Sequence, residues 1–203
     1  MFEQVKFDDQ GLVPCIAQDF ATGEVLTLAY MNEESLGLTV ETGEVHFFSR
    51  SRGKIWRKGE ESGNVLRVRQ LRYDCDGDAL LALVEPAGPA CHTGERSCFY
   101  RELGEGERAP LAHEALPALE RTLRSRAAEQ PEGSYTTKLL GDPKLLGEKV
   151  EEEAEEVVRA AREESDGRVA EEAADLLYHL SVLLASREVS QAAAMEVLNG
   201  RRR

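Results

Sequence analysis

The sequence predicts an α+β chain in which a strand-rich N-terminal domain precedes an all-α, four-helix domain. Two shifts in composition predict it. Ten of the twelve aromatic residues lie in the first 100 positions, and twelve of the seventeen glycines precede position 110. Alanine runs the other way, with eight residues before position 110 and fifteen after it. Aromatic and Gly-rich sequence favours strands and turns, whereas sequence rich in Ala and Glu favours helix. Charge does not divide the chain, because residues 1–110 hold 12 basic and 19 acidic residues and 111–203 hold 13 and 19. Between the halves, Glu102-Leu103-Gly104-Glu105-Gly106-Glu107-Arg108-Ala109-Pro110 is polar with two Gly and a Pro. That places a linker at 105–111, between a domain at 1–104 and a domain at 112–203.

In the first half, residues 33–42 predict a short helix ended by Gly43. Strand character follows at 44–49, 65–73 and 79–85. The second of these alternates apolar residues with Arg and then changes phase near Gln70, which predicts a bulge. Between strands two and three, Asp74-Cys75-Asp76-Gly77-Asp78 sets three carboxylates at alternating positions on a tight turn. They repel one another unless a hard cation sits among them; the competing reading is a polar hairpin tip. An EF-hand loop would put Glu85 at its twelfth position, but its sixth is Ala79 instead of the Gly that loop requires, and the flanks read as strands.

Cys91 and Cys98 follow in Gly88-Pro89-Ala90-Cys91-His92-Thr93-Gly94-Glu95-Arg96-Ser97-Cys98. The first 25 residues lack a basic start followed by an apolar stretch, so a cytoplasmic, reducing setting is expected and disulfides are disfavoured. Thiolates then point to zinc or to a nucleophile, and three protein ligands with one open position is how a catalytic zinc is held. Cys15, without polar neighbours, reads as a small buried hydrophobe. His92 adjoins a candidate ligand and suits a general base; His46, in a strand, reads as structural. Arg50, Arg52, Lys54, Arg57 and Lys58 concentrate five positive charges in nine residues. They suit a phosphate pocket, a single-stranded nucleic-acid groove with Trp56 as stacking platform, or a solvated hairpin. The net charge of −13 disfavours bulk nucleic-acid or anionic-membrane binding, and no apolar run approaches the ~18 residues of a membrane span.

In the second half, helices are expected at 111–130 (with Pro117 near the start or at a kink), 144–163 and 168–187, and a short fourth is capped by Ser190. At ~100° per residue, helix two carries an apolar stripe of Leu146, Val150, Ala154, Val157 and Ala161. Glu153 lies on its border, with Glu156 ~60° further round, while Glu151 and Glu155 belong to a solvated face. Helix three carries Val169, Ala173, Leu176, Leu180 and Leu183, with Glu172 inside that arc and Asp175 beside it. Tyr178 and His179 read mainly as bundle packing. Acids that encroach on a core-facing stripe are costly unless paired or metal-bound. Two i,i+3 carboxylate pairs on antiparallel helices can converge on one or two Mg²⁺ ions that bind phosphates and activate water.

These segments resemble a known family. SRSRGKIWRKGEESGN, DCDGD and GPACHTGERSCFYR resemble the phosphoribosyl-AMP cyclohydrolases, and SYTTKLL and EAADLLYHLSVLL resemble the phosphoribosyl-ATP pyrophosphohydrolases. Together they resemble the bifunctional enzymes of histidine biosynthesis along nearly the whole chain. The resemblance implies zinc ligands at Cys75, Cys91 and Cys98, shared across a homodimer, and Mg²⁺ ligands at Asp74, Asp76 and Asp78. In the second domain it implies Mg²⁺ ligands at Glu152, Glu153, Glu156, Glu172 and Asp175. The family often has Gly-Glu-Glu-Ala where this chain has Glu151-Glu152-Glu153-Ala154, and the helical projection favours Glu153 and Glu156 over Glu152.

Two successive hydrolyses follow as the expectation. The helical domain cleaves phosphoribosyl-ATP to phosphoribosyl-AMP and pyrophosphate with catalytic Glu153 and Glu156. The strand-rich domain opens the purine ring at N1–C6 with a zinc-activated water, His92 moving the proton and the basic segment holding phosphates. The alternatives are a general nucleotide pyrophosphohydrolase fused to a zinc-stabilised domain, and a non-enzymatic zinc-containing nucleic-acid binder.

Overall fold

The computed structural model describes residues 2–103 and 111–202. The expected linker at 105–111 lies, apart from Leu111, outside the described residues. The chain divides into two compact units, Met1–Ala109 and Pro110–Arg203.

The N-terminal unit is built on one six-stranded sheet, with strands β1 (Val13–Asp19), β2 (Val25–Met31), β3 (His46–Ser49), β4 (Lys54–Arg57), β5 (Leu66–Tyr73) and β6 (Leu80–Pro86). Their order is β4-β3-β2-β1-β6-β5. All neighbours are antiparallel except β1 and β6, which run parallel with Cys15 opposite Leu80 and Asp19 opposite Val84. Edge strand β5 also curls back towards the segment that leads into β3. There the Val45 N–H donates to the Leu66 carbonyl (3.0 Å) and the Val68 N–H to the Gly43 carbonyl (2.8 Å). The bulge expected near Gln70 is present, as a register shift between Val68 and Gln70.

Helix α1 (Glu33–Thr42) has the expected bounds and ends at Gly43, whose φ of 69° is readily adopted only without a Cβ. Its start is a capping box: Asn32 Oδ1 accepts from the Ser35 N–H (2.8 Å) and Ser35 Oγ accepts from the Asn32 N–H (2.9 Å). The core of this unit gathers Val13, Cys15, Leu26, Met31, Val45, Phe47, Leu66 and Val84.

β1 and β4 are strands that local composition does not announce, whereas β2, VLTLAYM, is apolar and strand-like in its own sequence. Of the first two, β1 carries Pro14, Gln18 and an acid, and β4 is four residues inside a basic run. Both are strands because their neighbours supply ladder partners, Tyr30 for Pro14 and Phe47 for Trp56.

The C-terminal unit opens with a 3-10 turn (Ala112–Glu114) and continues with helices α2 (Ala115–Glu129), α3 (Tyr135–Gly141), α4 (Pro143–Glu163), α5 (Asp166–Ser186) and α6 (Gln191–Gly200). These are the four helices expected plus the short α3. Pro117 falls in the first turn of α2, where a missing N–H costs nothing. Asp142, Ser165 and Ser190 cap α4, α5 and α6 by accepting from N–H groups of the first turn. Helices α4 and α5 pack along their length, and the core around them holds Leu123, Leu139, Leu146 and Val182.

The inner line of α4 differs from the expected stripe. Its buried residues are Leu146, Glu153 and Ala160, seven residues apart, so Glu153 lies at the centre of the inner face instead of its border. Ala161 is exposed, as are Val158, Leu177 and Leu180. Helical period fixes the angles between side chains within one helix, but packing against α5 fixes which angle points inward.

Two outcomes test this architecture. Gly77 has φ +82°, and a Cβ there would overlap the Gln4 carbonyl oxygen of the N-terminal segment that clamps the acidic turn. Gly77→Ala should lower the stability of the N-terminal unit by about 1–3 kcal/mol in denaturant titrations; an unchanged midpoint would contradict the clamp. The Cys15 thiol is pushed up by burial to about 12. It should resist thiol reagents at pH 8 in the folded protein stripped of metal, while exposed Cys75 labels under the same conditions. Because the folded state keeps this proton longer, its stabilising contribution is complete below the unfolded value near 9 and is lost as pH rises towards 12.

Candidate functional site

In the helical unit, carboxylate oxygens of Glu153, Glu156 and Glu172 lie within 4.8 Å of one another. Glu153 and Glu172 are buried, at 7% and 3% exposure. Burial pushes the Glu153 carboxyl above the usual carboxylate range, and the Asp175 and Glu156 charges add to it, against the pull of His179 and Lys149. Such crowding suits a hard divalent cation with oxygen ligands. Asp175 is exposed and outside the 4.8 Å group, close enough to act on Glu153 by charge. Glu152 points outward and accepts from Lys149 Nζ (2.7 Å). Glu151 and Glu155 are solvated.

His179 belongs to this site's surroundings, although the sequence reads mainly as packing there. It is buried, and its Nδ1 lies 3.5 Å from Glu153 Oε1 and 3.0 Å from the Asp175 carbonyl. Its Nε2 lies 3.3 Å from the Tyr135 hydroxyl. The available signal is its seven-residue spacing from Glu172, which repeats the same helical azimuth. Arg168 pairs with Glu172, and Arg159 lies 3.3 Å from Glu156, so two of the three clustered acids carry a neighbouring cation.

In the strand-rich unit, donor atoms of Asp74, Cys75 and Asp76 lie within 4.8 Å of one another on the exposed β5–β6 turn. Asp74 Oδ1 accepts from the Gly77 (2.9 Å) and Ala79 (3.1 Å) N–H groups. Burial opposes its ionisation, yet these bonds and its neighbours' carboxyls hold Asp74 below the usual range. Asp78 is pushed up by the Asp76 charge and stands outside the group.

Cys91 and Cys98 meet in the loop after β6. The Thr93 hydroxyl donates to Cys91 Sγ (3.0 Å), and this bond, the Thr93 N–H and Cys98 hold the Cys91 thiol below the ordinary range. Burial pushes Cys98 up. A pair of close, unequal thiols is suited to thiolate ligation of zinc. Cys75 does not join them: among the described residues, no group of three donors within 4.8 Å contains Cys91 or Cys98. The register explains why. Tyr73 pairs with Leu80, so Cys75 sits in the turn that begins β6. The Cys98 N–H donates to the Leu26 carbonyl (2.7 Å) on β2, two strands away across β1, or about 10 Å at ~4.8 Å per strand. His92 is exposed, with Nδ1 3.9 Å from Cys91 Sγ.

The five basic residues do not share one environment. Arg50, Arg52 and Lys54 are exposed around the β3–β4 hairpin, with the Arg50 guanidinium 3.9 Å over the Tyr30 ring. Arg57 pairs with Glu44 (2.9 Å). Lys58 is buried beside Trp56 and acts by charge on Cys98. His46 Nδ1 lies 2.8 Å from the Glu44 carbonyl, a structural contact.

Comparison with known proteins matches each unit separately. The family model for phosphoribosyl-AMP cyclohydrolase matches residues 27–100, and that for phosphoribosyl-ATP pyrophosphohydrolase matches residues 116–202. The chain is similar to the histidine biosynthesis bifunctional protein HisIE of Caldanaerobacter subterraneus subsp. tengcongensis, at 52% identity over 93% of this chain and 91% of that protein. It is 51% identical to the HisIE protein of Bacillus subtilis, over 98% of this chain and 95% of that one. The HisIE protein of Pyrococcus furiosus is 49% identical over 100% of this chain and 98% of its own length. Two motif-bearing units in one chain, each matched by its own family and both spanned by the same relatives, lead to one conclusion: the chain belongs to the family of bifunctional histidine-biosynthesis proteins that join a phosphoribosyl-AMP cyclohydrolase domain to a phosphoribosyl-ATP pyrophosphohydrolase domain.

Proposed function

We propose that the chain carries out two consecutive hydrolyses of histidine biosynthesis, at one site in each unit. The observation that carries this reading is that each matched unit gathers its own donor set, hard carboxylates in the helices and paired thiols in the strand-rich loop. The helical unit takes phosphoribosyl-ATP, in which water attacks the α–β phosphoanhydride and pyrophosphate leaves. The strand-rich unit takes the phosphoribosyl-AMP so formed, in which water adds at C6 and the N1–C6 bond opens.

Magnesium at the acidic clusters and zinc at the thiols would supply charge compensation for phosphates and water of lowered pKa. Glu153, Glu156 and Glu172 are the residues that would hold Mg²⁺ in the helices, with Asp175 next to them. Glu152 is directed to Lys149 and stands aside. His179 and Tyr135 orient Glu153 from behind. In the other unit Asp74 and Asp76 would hold Mg²⁺, with Asp78 beside them, and His92 would take the proton released as water adds. Exposed Arg50, Arg52 and Lys54 would bind substrate phosphates, while Arg57 and Lys58 order the hairpin.

Zinc needs a third thiol that one chain does not bring. A homodimer in which the partner copy's turn supplies Cys75 to the Cys91–Cys98 loop meets this need. The exposed Val158, Leu177 and Leu180 on the helical unit also support self-association. No helix among the described residues is long and apolar enough to cross a membrane, and a cytoplasmic location fits a pathway of small soluble phosphates.

With phosphoribosyl-ATP, Zn²⁺ and Mg²⁺, pyrophosphate release and ring opening should be separable. Cys91→Ala should lower only ring opening; Glu172→Gln should lower pyrophosphate release and, with it, ring opening from phosphoribosyl-ATP, but keep ring opening of supplied phosphoribosyl-AMP, each loss being at least about 100-fold. Glu152→Gln should keep pyrophosphate release within a few-fold of the parent; a loss equal to that of Glu153→Gln would sink the ligand assignment. Neither product appearing would overturn the function. Mixing Cys75→Ala with Cys91→Ala chains tests the shared site. Half the dimers are then mixed and each holds one intact site, so about a quarter of the ring-opening activity should return; no recovery after subunit exchange would mean that the site lies within one chain.

A further inference from the structure

The loop that carries Cys91 and Cys98 closes on itself through the backbone. The Ala90 N–H donates to the Arg96 carbonyl (3.0 Å) and the Cys91 N–H to the Glu95 carbonyl (2.9 Å). Ser97 Oγ–H donates to the Val25 carbonyl (2.7 Å), and the Cys98 N–H to the Leu26 carbonyl (2.7 Å). The first two bonds close the loop and the last two join its end to β2.

Arg96 adds a side-chain tie between this loop and the β1–β2 end of the sheet. Its guanidinium turns inward and ion-pairs with Asp19 through Nη2 and with Glu24 through Nε. Asp19 is 4% exposed and ends β1, and Glu24 lies in the turn between β1 and β2. The two oxygens of Asp19 divide the work. Oδ1 accepts from the Ala21 (2.8 Å) and Thr22 (3.2 Å) N–H groups and shapes the turn, whereas Oδ2 receives Arg96. A planar guanidinium held by two carboxylates resists rotation in a way a single point contact does not.

We propose that Arg96, held by Asp19 and Glu24, is a positioning residue that sets the Cys91–Cys98 pair in ligating geometry before metal arrives. This inference rests on the reading that these thiols bind zinc. Outer groups that orient metal ligands are worth about 10- to 100-fold in metal affinity, and Arg96 sits two residues from one ligand and five from the other.

The test is Co²⁺ titration of the full-length dimer, followed by its thiolate charge-transfer and d–d bands well below the melting temperature. Arg96→Leu and Asp19→Asn should each weaken Co²⁺ binding about 10- to 100-fold and alter the d–d band at saturation. Arg96→Lys should fall between them and the parent, because an ammonium cannot span both carboxylates. Asp19→Asn keeps Oδ1 and the turn, so it carries the test should Arg96→Leu unfold the unit. A purely stabilising ion pair would lower the melting temperature and leave affinity and band shape at parent values; that result overturns the proposal. A parent protein with no thiolate band would instead overturn the zinc reading, and the proposal with it.

Discussion

Strand β6 enters the sheet between β1 and β5, parallel to the first and antiparallel to the second. The placement of every thiol in the N-terminal unit depends on that one insertion. The acidic turn with Cys75 begins β6, and the loop with Cys91 and Cys98 follows its end and returns across β1 to β2. Because β1 stands between, the backbone that holds Cys75 and the backbone that holds Cys98 are kept apart by the strand spacing. Among the described residues, no group of three donors within 4.8 Å joins Cys75 to Cys91 or Cys98. The same register buries Cys15 in the core, where a low-dielectric environment holds it protonated and inert. Four cysteines therefore acquire three different environments from one strand order.

The helical unit solves a different problem, how to keep acids on an inner face. Leu146 lies near the start of α4 and Val182 near the end of α5, so in the antiparallel pair the apolar core occupies one end. Glu153, Glu156 and Glu172 lie towards the other, where Arg159 and Arg168 supply charge. Two buried carboxylates with partial compensation are electrostatically frustrated, and a cation relieves the frustration. His179 contributes a polar neighbour to Glu153, and the stacked Tyr135 and Tyr178 rings pack against its ring.

Much of the site was legible because its chemistry is local. The i,i+3 acids on α4 announce a common face whatever surrounds the helix. The one thiol and the carboxylates of the acidic turn are neighbours in sequence and so remain neighbours in space. The absolute azimuth of α4 was not legible, since Glu153 reads as a border residue until Leu146, Glu153 and Ala160 are seen to align against α5. The apolar run of β2, VLTLAYM, carries strand character in its own right, but strands β1 and β4 were hidden for a related reason. Their residues are mixed in character, and what makes them strands is a ladder partner contributed from elsewhere.

The sequence by itself determined the two-domain division, the bounds of α1, the bulge in β5, the helices that carry the acids and the kinds of donor atom present. Each follows from propensity, capping or periodicity over a few neighbouring residues. Only the tertiary structure decided which donors meet: Cys91 with Cys98 but not Cys75, Glu153 with Glu172 and His179, and Glu152 with Lys149 instead of the cluster. The Asp19–Arg96 pair shows the reason most plainly, since 77 residues separate its partners. Nothing in either local sequence encodes the other, and only strand order and register bring them into contact.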